Sequence, residues 1–148
     1  MKKITALLVL AAVLCLSPAA FGEQKVVIST PDAPPAIGPY SQAVQYGHTV
    51  YLAGQLPLDL SGTLVGAGDI VAQTHQVMKN LGAVLAASGL TFDDVLMATV
   101  YITDLANFAT FNAEYAKYFT ADPPARATVQ VPALAKNAML EVSFIAGK

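Results

Sequence analysis

The chain has 148 residues, 55% of them hydrophobic, with one cysteine, two histidines and a formal net charge of −2. It holds a single arginine, Arg126, and no basic run, which excludes the phosphate-neutralising surface of a nucleic-acid binder. Cys15 stands alone, and His48 and His75 lie far apart without ligand-like spacing, so neither a disulfide nor a metal site is expected.

Met1-Lys2-Lys3 is a short basic start, Ile4 to Leu16 carries no charge, and small residues follow in Ser17-Pro18-Ala19-Ala20-Phe21-Gly22. That order predicts a secretory signal peptide over residues 1–22, because the apolar run is shorter than the roughly 20 residues a spanning helix needs. Cleavage is expected after Gly22, with Ala19 as the second choice and a retained anchor as the competing reading. Leu14 before Cys15 argues against a lipoprotein. Residues 23–148 then form one domain, exported to a periplasm or secreted, with no membrane association after cleavage. Without Lys2 and Lys3 the chain keeps six basic and ten acidic residues, a net charge of −4.

Lys25 to Ser29 is short and β-branched, a first strand. Pro31 to Pro39 holds four prolines and Gly38, which makes it a loop of fixed backbone. Ser41 to Tyr46 and Thr49 to Gln55 flank Gly47-His48 and read as a hairpin, and Pro57 to Gly68 is a turn-rich loop. Asp69 can cap a helix reaching Ser88, with Ile70, Thr74, Val77, Leu81 and Leu85 on one face and Gly89 as its stop. Val95 to Thr103 alternates, placing Leu96, Ala98, Val100 and Ile102 on one side of a strand. Asp104 can cap a second helix from Leu105 to Phe119, with Phe108, Asn112, Tyr115 and Phe119 on one face. Ala127 to Val131 and Leu140 to Ala146 are the last strands.

The order β-β-β-α-β-α-β-β predicts an α+β fold: a mixed six-stranded sheet with two helices on one face. Nothing in the chain is left to cover the other face, so a homo-oligomer is its simplest cover.

Four positions draw chemical interest. Arg126 follows the rigid Pro123-Pro124-Ala125 approach, and a guanidinium held at a strand start can grip a carboxylate through two parallel hydrogen bonds. The alternative is a surface arginine lying over apolar neighbours. Glu141 is the one acidic residue inside a predicted strand. If partly buried it has a raised pKa and can pass a proton near neutrality; otherwise it is an edge charge that discourages aggregation. Tyr40 is directed by Gly38-Pro39 and either walls a pocket or simply packs. Asn112 sits on an apolar helix face and needs a partner, for which a loop backbone is the plainer choice. His75 is placed on the solvent face of the first helix and His48 in a turn, and neither suggests a triad.

Five ordered segments carry a resemblance: Ala36-Ile37-Gly38-Pro39-Tyr40-Ser41-Gln42, Leu52-Ala53-Gly54-Gln55-Leu56-Pro57, Asn112-Ala113-Glu114-Tyr115, Pro124-Ala125-Arg126-Ala127-Thr128 and Leu140-Glu141-Val142. Together they resemble the Rid (reactive intermediate deaminase, YjgF-type) family over about Val27 to Ala146. The resemblance implies a chorismate-mutase-like fold, a homotrimer with clefts between subunits, and cofactor-free hydrolysis of 2-imino acids and their enamine tautomers to 2-keto acids and ammonia. It implies that Arg126 binds the substrate carboxylate and Glu141 places or activates water. Tyr40, Gly54, Asn112 and Thr128 would line the substrate site. Many relatives have Ser at the position of Ala53 and Cys at that of Thr128, and most lack a leader. Export leaves room for a non-catalytic, carboxylate-binding or holdase-like protein. An endoribonuclease role, a label often attached to this family, is opposed by the net charge of −4.

Overall fold

The computed structural model describes residues 24–147. The expected leader and its cleavage site lie outside the described residues. Six strands and two α-helices follow in the expected order: β1 (Val26–Ile28), β2 (Ala43–Tyr46), β3 (Thr49–Gln55), α1 (Ile70–Ala87), β4 (Val95–Ile102), α2 (Phe108–Tyr115), β5 (Ala125–Gln130) and β6 (Leu140–Gly147). The strands form one sheet in the order β1-β2-β3-β6-β4-β5, antiparallel except for the β4–β5 pair. A parallel pair requires a crossover, and α2 supplies it.

Strand alternation decides which side chains face the helices. Leu140, Val142, Phe144 and Ala146 of β6 are buried, and register sets them beside Val50 and Leu52 of β3 and Ala98, Val100 and Ile102 of β4. Against them pack Val77, Leu81, Val84 and Leu85 of α1 and Phe111 and Tyr115 of α2. Asp69 caps α1, its Oδ1 accepting from the amides of Val71 and Ala72. The intervening residues Tyr51, Thr99, Tyr101, Glu141, Ser143 and Ile145 point to the opposite, open face, with Tyr51 50% exposed.

Two expectations are corrected. Leu96 does not join the buried row of β4: a register shift between Val95 and Met97 turns Val95 inward and leaves Leu96 exposed. A bulge changes the side-chain phase by one residue, which simple alternation does not register. The second helix is not α-helical from 105 to 119. Its α segment is only Phe108–Tyr115, flanked by 3-10 turns at Leu105–Asn107 and Ala116–Tyr118.

Polar residues of α1 pin the loops. Asn80 donates to the carbonyls of Leu56 and Leu58, and Gln73 donates to Gly66 while accepting from the Met139 amide. These buried amides satisfy backbone groups that no strand reaches.

Candidate functional site

Arg126 stands near the start of β5, in register with Ala98 of β4, and so points to the helix-covered face. There α2 receives it. Its Nη2 donates to Asn112 Oδ1 at 2.6 Å, and its guanidinium carbon lies 4.8 Å from the Tyr115 ring centre, 5.4 Å from Phe111 and 5.7 Å from Phe108. A cation–π contact of a half-buried guanidinium is worth about 0.5–1 kcal/mol. Among the described residues no carboxylate lies within 4.0 Å of the guanidinium; the ion pairs are those of Glu114 with Lys117 and His75. The cation is held by rings and an amide, and its charge is left uncancelled. With Asn112, Tyr115, Phe119, Pro123 and Pro124 it lines an open cavity.

Asn112 thus finds its partner in Arg126, not in a loop backbone, because the arginine at the start of β5 reaches α2 with its long side chain. Thr128 follows on the same face of β5, level with Val100, and its buried Oγ1 has no hydrogen-bond partner among the described residues.

The other predicted residues gather elsewhere. Glu141 of β6 is level with Tyr101 of β4, on the open face of the sheet. Its side chain folds over Gly54, where a Cβ would fall on the carboxylate. Gly54 has no left-handed backbone, so a glycine is needed there for space alone. Burial raises the Glu141 pKa above the usual carboxylate value. Gly54 and Tyr40 line a second cavity with Pro34, Ile37, Gln42 and Lys136. Its volume is about 190 Å3, below the roughly 300 Å3 at which pockets for drug-sized ligands begin. It suits a small molecule.

Gln42 makes this wall rigid. Its buried amide accepts from Thr30 N and donates to the carbonyls of Thr30, Ala33 and Pro34, tying the proline-rich loop to β2. Nothing in its own spacing signals this role; it is visible only as part of the segment ending in Tyr40-Ser41-Gln42. The rings of Phe111 and Tyr115 beneath Arg126 were readable as core, not as site.

Within one chain the predicted residues therefore form two groups. Arg126, Asn112 and Thr128 share the helix side at the β5 edge; Glu141 lies over Gly54 on the open side, and Gly54 lines a cavity with Tyr40. His75 is exposed as expected, but pairs with the Tyr118 hydroxyl at 2.8 Å, on the outer surface of the helices.

A family model described as Endoribonuclease L-PSP matches residues 30–148. The chain belongs to this family, the Rid/YjgF family. Protein DfrA of Myxococcus xanthus is 53% identical over 121 residues, covering 80% of this chain and 92% of that protein. A mouse relative named 2-iminobutanoate/2-iminopropanoate deaminase is 46% identical over 120 residues, covering 81% of this chain and 89% of its own. Among solved structures, the Rid-family protein YyfA of Yersinia pestis superposes with a TM-score of 0.82 at 46% identity, covering 84% of this chain and all of that one. The Rid fold places its six-stranded sheet and two helices as observed here.

Proposed function

We propose that this Rid protein hydrolyses 2-imino acids and their enamine tautomers to 2-keto acids and ammonia, as an exported homotrimer whose clefts are shared by two chains. The observation that carries the reading is the uncancelled guanidinium of Arg126, held flat by rings and by Asn112 with N–H groups to spare for a carboxylate. A 2-imino acid offers one carboxylate and an electrophilic C=N carbon beside it. Arg126 would fix the first. Water then adds to the carbon, the nitrogen takes up a proton, and the tetrahedral adduct releases ammonia to leave the keto group. Glu141, whose pKa burial raises above the usual carboxylate value, can exchange a proton with that water and steer it.

Because Arg126 and Glu141 face opposite sides of one sheet, the reading requires Arg126, Asn112 and Thr128 of one copy to meet Tyr40, Gly54 and Glu141 of another. The open face supports such assembly, since Tyr51, Leu96 and Val129 are about half exposed or more. The family description as an endoribonuclease finds little support in this chain's acidic balance and single arginine.

The separation also favours a second reading. The Arg126 cavity by itself could bind a carboxylate with no group to direct water, giving a binding protein without turnover.

Subunit mixing tests the proposal. R126A and E141Q should each lose on the order of a hundredfold or more in ammonia release from 2-iminobutanoate while staying folded. Randomly reassembled from equal parts, they should regain about a quarter of the wild-type clefts, since each cleft draws on two chains. Absence of recovery in a proven mixed oligomer would overturn the shared cleft. Binding of 2-oxobutanoate with no turnover by the wild-type chain would favour the second reading.

A further inference from the structure

We infer that the hydroxyl of Tyr115 is a further anion-binding donor of the Arg126 cavity, hydrogen-bonding the carboxylate that the guanidinium receives. The inference rests on the reading of Arg126 as the carboxylate-binding residue. Two buried side-chain polar atoms lack a partner among the described residues, Tyr115 Oη and Thr128 Oγ1. Both flank Arg126: the Tyr115 ring is the nearest of the three beneath the guanidinium, and Thr128 is two residues along the same strand face.

An unpartnered buried hydroxyl costs about 1–3 kcal/mol, and a phenylalanine would fill the same space without that cost. The surrounding cluster uses phenylalanine wherever packing alone is needed. Phe111 and Phe119 pack at a tilt against the Tyr115 ring at 5.4 and 4.8 Å between centres, and Phe108 adjoins Phe111. Tyr118, the neighbouring tyrosine, has its hydroxyl bonded to His75. Of the two tyrosines in this cluster, the one whose hydroxyl has no partner among the described residues is therefore the one whose ring lies against the cation.

Its chemistry fits an anion. Burial pushes the Tyr115 pKa up to about 12, with Arg126 opposing the rise, so the group remains a protonated donor. The Nη2 of Arg126 is engaged by Asn112 Oδ1, an acceptor that leaves the other guanidinium N–H groups for the ligand. A carboxylate has about four acceptor sites, more than one guanidinium edge fills.

The test uses the full chain, with 2-oxobutanoate as the binding probe and 2-iminobutanoate as substrate. Y115F should weaken 2-oxobutanoate binding about ten- to hundredfold, the range for a hydrogen bond to a charged group. KM should rise with it. The melting temperature should stay the same or rise, because an unsatisfied hydroxyl has been removed. Ligand binding should give a tyrosine difference spectrum that is smaller in the variant than in the wild type. Unchanged Kd and KM in Y115F, or a lower melting temperature with unchanged Kd, would overturn the inference and make the hydroxyl structural. R126A separates the two levels. Loss of binding in R126A with none in Y115F defeats Tyr115 alone, whereas full binding in R126A defeats the reading of Arg126 and this inference with it.

Discussion

At the scale of single residues, the site depends on space and on protonation. Gly54 leaves room for the Glu141 side chain. A methyl group at 54 would meet the far end of a flexible side chain, so G54A should fold, with little change in melting temperature. The displaced carboxylate should lower ammonia release by about tenfold or more, the scale of a misplaced acid–base group. Glu141 also sets a pH dependence. Its ordinary value of 4.5 is raised in the fold by burial, so the folded chain holds this proton more tightly than the unfolded one. The resulting stabilisation is present below 4.5 and is lost as pH rises through the folded value. Thermal melts of the wild type and E141Q across that window should therefore diverge, with E141Q gaining relative stability as pH rises. A constant difference between the two proteins would count against the burial seen for Glu141.

At the scale of elements, the cavity walls are loops tied down by amides. Gln42 binds the N–H and carbonyl of Thr30 and the carbonyls of Ala33 and Pro34 in the proline-rich loop. Q42L should leave those groups unpaired and lower stability by about 2–3 kcal/mol, measurable by urea unfolding. Because Tyr40 stands at the end of that loop, KM should rise as well. The short α2 has a comparable role. It presents Asn112 at one level and the rings of Phe111 and Tyr115 at the next, so the β5 arginine meets all three at once.

At the scale of the whole molecule, the sheet has one face under helices and one open. Val129, 46% exposed, points to the open side of the edge strand β5. If that face is the subunit contact, V129E should dissociate the oligomer in sedimentation experiments and abolish turnover, while the far-ultraviolet circular dichroism is retained. A dissociated protein of full activity would refute the shared cleft.

The sequence by itself determined the order of strands and helices, the cap at Asp69, the inward row of α1 and the chemical interest of Arg126 and Glu141. These features are local: alternation, helical spacing, caps and lone charges are written in neighbouring residues. Five spaced segments also carried the family. Tertiary structure alone decided that Arg126 would be cradled by aromatic rings with Asn112 as its partner, that a bulge would turn Leu96 outward, and that Glu141 would occupy the space at Gly54. It also decided that Arg126 and Glu141 would face apart within one chain. Each of these depends on strand register, and register is set by contacts between segments far apart in sequence, where a shift of one residue reverses the face every side chain presents.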